Sequence, residues 1–134
     1  MDLIGHLTPA IRAFRPFLPA RDFETSLRFY QTVGFEACRL GDTLAELSLG
    51  PHAFLLQGHY VKEWAENSMM HVLVNDLDAW YRHIRSLDLS GRFGVRAPAP
   101  PRAEPWGLTV VYVFDPSGVL WHFAESTKPT GEQR

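Results

Sequence analysis

The chain has 134 residues, 46% hydrophobic and 21% charged, with a formal net charge of −2. This composition favours one folded domain over a disordered chain, and the near-neutral charge gives no basic surface for nucleic acid. The single cysteine, Cys38, excludes an internal disulfide, and no apolar run is long enough to span a membrane. We therefore expect a cytoplasmic protein without a signal peptide, in which Cys38 is a small buried side chain of a strand.

The first half of the chain begins with a strand-like apolar run followed by an amphipathic helix. Asp22 is a good N-cap because its carboxylate can accept hydrogen bonds from the free amides of the first turn. Phe23, Leu27 and Tyr30 then form one apolar stripe, and Gly34 is placed to end the helix. The runs FEACRL, TLAELSL and HAFLLQ follow as predicted strands, separated by GD and GP turns.

The second half repeats this pattern at an offset of 54 residues, with Asp76 in the place of Asp22. The apolar stripe of its helix comprises Leu77, Trp80, Tyr81, Ile84 and Leu87. The runs RFGVRA, LTVVYVF and VLWHFAE are the predicted strands that follow, and DPSG between the last two fits a type I turn. The proline-rich segment APAPPRAEPWG separates the first two and cannot be a central strand.

The repeat predicts an α+β fold made of two βαβββ modules, residues 14–58 and 69–126, within a single domain of residues 1–134. Each module would be a curved mixed sheet with one helix covering one face. The other face is left for the second half, a second chain or a ligand, and a curved sheet would make it a pocket.

These features resemble the vicinal oxygen chelate superfamily, which includes glyoxalase I, extradiol dioxygenases, fosfomycin-modifying enzymes and bleomycin resistance proteins. The resemblance is carried by PFLPARDFETSLRFYQTVGFE, EPWG and DPSGVLWHFAE, and it spans residues 14 to 126. The local details are most similar to the bleomycin resistance proteins. A fold of this kind hosts many chemistries, so the site residues must decide the function.

The resemblance implies four positions for a divalent metal, which the enzymes of the superfamily hold with His, Glu and Gln side chains. Counting from Asp22, Asp76 and the DPSG turn places Arg15, Met69 and His122 at three of these positions. Aligning HAFLLQ of the first half with VLWHFA of the second sets Leu55 against His122 as the fourth. Only the histidine is a competent ligand, and the arginine charge would repel a cation. His71 could join His122 in a two-histidine site, but catalytic zinc usually needs three protein ligands.

The tryptophans divide into core and candidate ligand-stacking residues. Trp80 and Trp121 fall on faces that should be covered by helix or sheet, whereas Trp64 and Trp106 fall in loops. The resemblance implies that Trp106 stacks on a flat drug ring, since aromatic faces bind flat ligands at little entropic cost. The position of the opposing aromatic residue falls near Leu44, which departs from the family pattern and weakens the case for bleomycin itself.

The sequence thus predicts a homodimeric protein of the bleomycin-resistance type that binds a flat or amphipathic small molecule without metal catalysis and without a cofactor. The predicted ligand-binding residues are Arg15, Leu55, Met69, His71, Trp106 and His122. The alternative is a metal-dependent glyoxalase-like lyase or dioxygenase of the same superfamily, and a third reading is a regulatory or structural dimer without a ligand. The resemblance further implies a dimer in which each subunit packs its N-terminal arm on the other. The equal alternative is a free N-terminus.

Overall fold

The computed structural model describes residues 3–127, which form two four-stranded sheets with helices packed on one face of each. The strands are β1 (Phe17–Pro19), β2 (Glu36–Gly41), β3 (Leu44–Leu49), β4 (His52–Gln57), β5 (Met69–Leu73), β6 (Arg102–Ala103), β7 (Leu108–Phe114) and β8 (Leu120–Ser126). The helices are α1 (Phe23–Val33), α2 (Lys62–Ala65), α3 (Leu77–Ser86) and α4 (Leu89–Phe93), and a 3-10 turn, Thr8–Ala10, precedes β1. In the described part of the chain, no helix is long and apolar enough to cross a membrane.

The two sheets have the same topology, as the sequence repeat predicts. Their strand orders are β1-β4-β3-β2 and β5-β8-β7-β6, with one parallel pair in each sheet, β1 with β4 and β5 with β8. In the first sheet Phe17 lies opposite Leu55, and in the second His71 lies opposite His122. Leu55 and His122 therefore occupy equivalent positions, which confirms the predicted pairing of HAFLLQ with VLWHFA.

Both long helices begin where their N-cap residues predict, and α1 ends at the predicted Gly34. The carboxylate of Asp22 accepts from the amide of Thr25, and that of Asp76 accepts from the amide of Ala79. Gly34 ends α1 with a φ of 131°, a backbone conformation that side chains with a Cβ rarely adopt.

The predicted strand RFGVRA is wrong. Residues 89–93 form α4, because the carboxylate of Asp88 accepts from the amide of Gly91 and Gly94 ends the helix at a φ of 72°. The outer strand of the second sheet is instead Arg102–Ala103, inside the proline-rich segment. Proline has no N–H to donate to a neighbouring strand, so a proline-rich segment can supply only a short strand at the edge of the sheet.

One hydrophobic core lies between the helices and the covered faces of both sheets. Trp121 is buried, its indole packs against the rings of Tyr30, Phe35 and Phe54, and its side chain lies on the opposite face of β8 from His122. Trp80 stacks on Phe123 at 5.1 Å between ring centroids. The predicted core roles of Trp80 and Trp121 are confirmed.

The opposite face of each sheet, which we call its open face, remains accessible in the single chain. Phe17 is 55% exposed on the first sheet, and Met69 is 64% exposed on the second. Phe14, just before β1, is 92% exposed. Large apolar side chains exposed together on one surface usually mark an interaction site.

Candidate functional site

The open face of the second sheet carries a row of three polar rings. Register places His71 of β5 opposite His122 of β8, and His122 opposite Tyr112 of β7. The two imidazole centroids lie 6.0 Å apart with their planes at 75°, and the rings of Tyr112 and His122 lie 5.0 Å apart at 81°. We call His71, His122 and Tyr112 the ring row.

Tyr112 is anchored at the edge of the ring row by Glu104. Its hydroxyl donates to Glu104 Oε2 at 2.5 Å, and this hydrogen bond is the main reason that the pKa of Tyr112 is raised. Glu104 is also 3.8 Å from the guanidinium of the exposed Arg102. Because the phenol proton is held in the hydrogen bond to Glu104, the oxygen of Tyr112 is left to act as a hydrogen-bond acceptor.

The surroundings of His122 favour its neutral form. Partial burial is the largest cause of its lowered pKa, and the neighbouring His71 lowers it further, while Glu104 acts in the opposite direction. A neutral imidazole both donates and accepts hydrogen bonds. The centre of the ring row thus offers hydrogen bonds without a fixed positive charge.

Exposed apolar side chains lie beside the ring row on β5, and an exposed tryptophan precedes β7. Met69 and Leu73 flank His71 on the same face of β5, and Leu73 is 48% exposed. Trp106 is 60% exposed in the turn before β7. Accessible apolar and aromatic surface around a few convergent polar groups is typical of small-molecule sites.

The open face of the first sheet carries a different row. Phe17, Leu55, Glu46 and Cys38 follow one another across its four strands by register. Arg15, just before β1, forms an ion pair with Glu46. Cys38 is exposed here, so the prediction that it is buried is wrong, because even-numbered residues of β2 face away from the core.

The structure places the six predicted site residues in two groups. Met69, His71 and His122 lie together on the second sheet, with Trp106 in the turn before β7. Arg15 and Leu55 belong to the first sheet, where the ion-pair partner of Arg15 also lies. Within one chain, the two groups therefore lie on the open faces of two different sheets.

The site residues do not fit the metal of the superfamily's enzymes. Three of the four positions hold a guanidinium, an isobutyl group and a thioether, and none of these is a ligand for a hard or borderline divalent ion. Nor do residues 3–127 contain any group of three His, Cys, Asp or Glu side chains placed to hold a metal ion. No chemical step can be derived through a metal here.

Sequence reasoning missed three polar residues at these faces. Tyr112 could have been found by counting back from the DPSG turn, since a hairpin turn fixes which residues lie opposite each other. Glu104 could not, because it lies in the proline-rich segment whose path was unpredictable. Glu46 stands at an outward position of a predicted strand, but nothing in the sequence links it to Arg15.

Comparison with known proteins agrees with this fold. The model of the Glyoxalase/Bleomycin resistance protein/Dioxygenase superfamily matches residues 3–123. The chain belongs to this superfamily. Among curated protein sequences, none is significantly similar to this chain.

Several solved structures of this superfamily's fold are similar to the chain. A bleomycin-binding protein complexed with bleomycin shares 24% identity at a TM-score of 0.73, with 87% of this chain and 99% of the other aligned. A bleomycin resistance determinant encoded on the transposon Tn5 shares 24% identity at 0.69, covering 88% and 100%. A lactoylglutathione lyase from Agrobacterium tumefaciens shares 19% at 0.62, covering 86% and 94%. The structural similarity shows a common fold. At these low sequence identities the function must be argued from the site.

Proposed function

We propose that this protein is a bleomycin-resistance-like binding protein that sequesters a flat or amphipathic small molecule without metal catalysis and without a cofactor. The observation that carries the proposal is the ring row, three polar rings on the open face of one sheet, with the exposed apolar side chains of Met69 and Leu73 beside His71. The similarity to bleomycin-binding proteins supports it, and the lone cysteine suits a reducing, cytoplasmic setting.

The ligand-binding residues of the proposal are Arg15, Leu55, Met69, His71, Trp106 and His122. His71 and His122 would supply hydrogen bonds, and Trp106 would stack on a flat ring. Met69 and Leu55 would form apolar walls. Arg15 already forms an ion pair with Glu46. Its guanidinium would therefore divide its N–H donors between Glu46 and the ligand, and it would orient the ligand more than attract it by charge.

A homodimer would complete this site. In one chain the two groups of site residues lie on different sheets, and both open faces expose large apolar side chains. Apposing the first sheet of one subunit to the second sheet of its partner would bury this surface and form two equivalent grooves, as a two-fold interface requires.

The alternative is a metal-dependent lyase or dioxygenase, for which the neighbouring His71 and His122 are the specific observation. Two imidazoles leave a catalytic metal at least one protein ligand short. Metal analysis of the purified protein separates the two functions. Stoichiometric metal that is lost in His122→Ala would favour the enzyme.

Tryptophan fluorescence tests the binding proposal. Metal-free bleomycin should quench the emission saturably, and Trp106→Phe should remove most of the quench. Trp64→Phe is the matched control, because Trp64 is 63% exposed, lies in α2 rather than in a loop, and is not one of the six proposed ligand-binding residues. Quenching that is absent, or equal in the two variants, would remove the assignment of this ligand to this site.

A further inference from the structure

A second cleft lies beside the turn between β7 and β8. Its volume is about 320 Å³, and its walls include Arg21, Tyr60, Glu66, Arg96 and residues 114–118. We call it the turn cleft. None of the six residues of the proposed ligand groove lines it, and its walls come from four separate segments of the chain. This size is at the lower end for small-molecule sites.

Two arginines of the turn cleft lie over aromatic rings. The guanidinium carbon of Arg96 lies 4.9 Å from the centroid of Phe114, and that of Arg21 lies 5.8 Å from the centroid of Tyr60. A stacked guanidinium keeps the N–H donors of its edges available in a fixed plane. Both side chains are thereby preorganised to donate to a ligand.

Within the described part of the chain, neither arginine forms an ion pair with a carboxylate. The ion pairs formed among residues 3–127 involve Arg15, Arg39, Lys62 and Arg102, and not the two arginines of the turn cleft. Two guanidinium groups that face one cleft without a direct ion-pair partner create a positive potential at their N–H donors. That potential favours an anion.

The acidic residues of the turn cleft are engaged elsewhere. Asp115 is buried, with Oδ2 accepting from Tyr30 and Oδ1 from the amides of Ser117 and Val119. The carboxylate of Glu66 accepts from Lys62 Nζ at 3.1 Å, so that its charge is offset. The charge that remains available to a ligand is that of Arg21 and Arg96.

We propose that the turn cleft binds a small organic oxyanion, with a carboxylate or phosphate group held by Arg21 and Arg96. Guanidinium groups recognise both kinds of oxyanion through paired N–H donors. The ring edges of Tyr60 and Phe114 and the half-buried Val95 provide the apolar wall for the rest of the ligand. This site goes beyond the proposed groove and does not depend on it.

Calorimetric titration of the full chain tests the proposal, with inorganic phosphate and succinate as separate probes at low ionic strength. We expect saturable binding of at least one probe. Arg21→Gln and Arg96→Gln should each weaken it about tenfold, the loss expected for one charge-assisted hydrogen bond. Binding of phosphate alone or succinate alone identifies the oxyanion.

Arg85→Gln is the matched control, because Arg85 stacks on Tyr81 at 5.5 Å but lies on α3, outside the cleft. Its affinity should equal that of the unaltered protein. No saturable binding of either probe up to about 10 mM would overturn the proposal. So would equal weakening in Arg85→Gln, which would reveal a general charge effect. Quenching by bleomycin should be unchanged in all three variants.

Discussion

The hydroxyl of Tyr30 in α1 donates a 2.5 Å hydrogen bond to Oδ2 of Asp115, in the turn between β7 and β8. The same hydroxyl accepts from the indole nitrogen of Trp121 at 3.0 Å. Tyr30 comes from the first half of the chain, whereas Asp115 and Trp121 come from the second. Burial raises the pKa of Asp115, and the hydrogen bond from Tyr30 opposes this rise. These three side chains therefore join the two modules through a buried polar contact.

Removing the hydroxyl of Tyr30 should destabilise the whole domain. In Tyr30→Phe, Asp115 and Trp121 each lose a buried partner, which should lower the free energy of unfolding by about 2 kcal/mol. Urea denaturation followed by circular dichroism measures the change. Tyr81→Phe removes the same atom from a half-buried ring on α3 and should change stability by less than about 0.5 kcal/mol. Equal losses in the two variants would contradict the account.

The pKa of His122 should respond in opposite directions to its two charged neighbours. His71→Ala removes a repulsive imidazolium and should raise this pKa, whereas Glu104→Gln removes an attractive carboxylate and should lower it. NMR titration of the imidazole ring protons measures both shifts. The resonances of His52, an exposed residue of β4, should not move in either variant. Shifts of the same sign in the two variants would refute the assigned causes.

The lowered pKa of His122 also predicts how stability changes with pH. Between the pKa of His122 in the folded protein and its ordinary value of 6.5, the unfolded chain binds more protons at His122 than the folded protein does. Stability should therefore fall as the pH falls from about 6.5 through this window. Because Asp115 also titrates in acid, the measured quantity is the difference between the unaltered protein and His122→Gln. A difference that does not depend on pH would contradict this linkage.

The regular parts of the fold were predictable because their signals are local. Asp22 and Asp76 each indicate the start of a helix, because an N-cap depends only on nearby residues. The opposite placement of Trp121 and His122 follows from strand alternation alone. Five of the six runs predicted as strands after the two helices coincide with observed strands within one residue, and the repeat at 54 residues predicts the duplicated topology.

The rest could not be predicted, because it depends on contacts that are distant in sequence. The repeat of the first module predicts a strand at RFGVRA. Asp88 and Gly94 instead cap a short helix that includes its first two residues. The ion pair of Arg15 with Glu46 and the bond of Tyr112 to Glu104 depend on register and on the path of a proline-rich segment. The division of Arg15 and Leu55 from Met69 and His122 between two sheets follows from the predicted modules, whereas the side-chain partners at those positions do not.

A charge on the open face of the first sheet should disrupt the proposed dimer. Phe17 is 55% exposed in the single chain, so Phe17→Glu should fold but dissociate, because a carboxylate in an apolar interface is costly. Sedimentation velocity measures the oligomeric state. Gln31→Glu, on the exposed surface of α1, is the control and should remain dimeric. A monomeric unaltered protein, or a Phe17→Glu variant that stays dimeric, would refute this arrangement.

Calorimetric titration of chelator-treated protein with metal-free bleomycin tests the central claim most directly. Binding through the ring row and Trp106 requires no metal, so we expect saturable binding of about one molecule per chain, with a dissociation constant in the micromolar range or below. Adding back zinc, nickel or manganese should not change this affinity. Binding that is absent, or that appears only after metal is restored, would contradict the account.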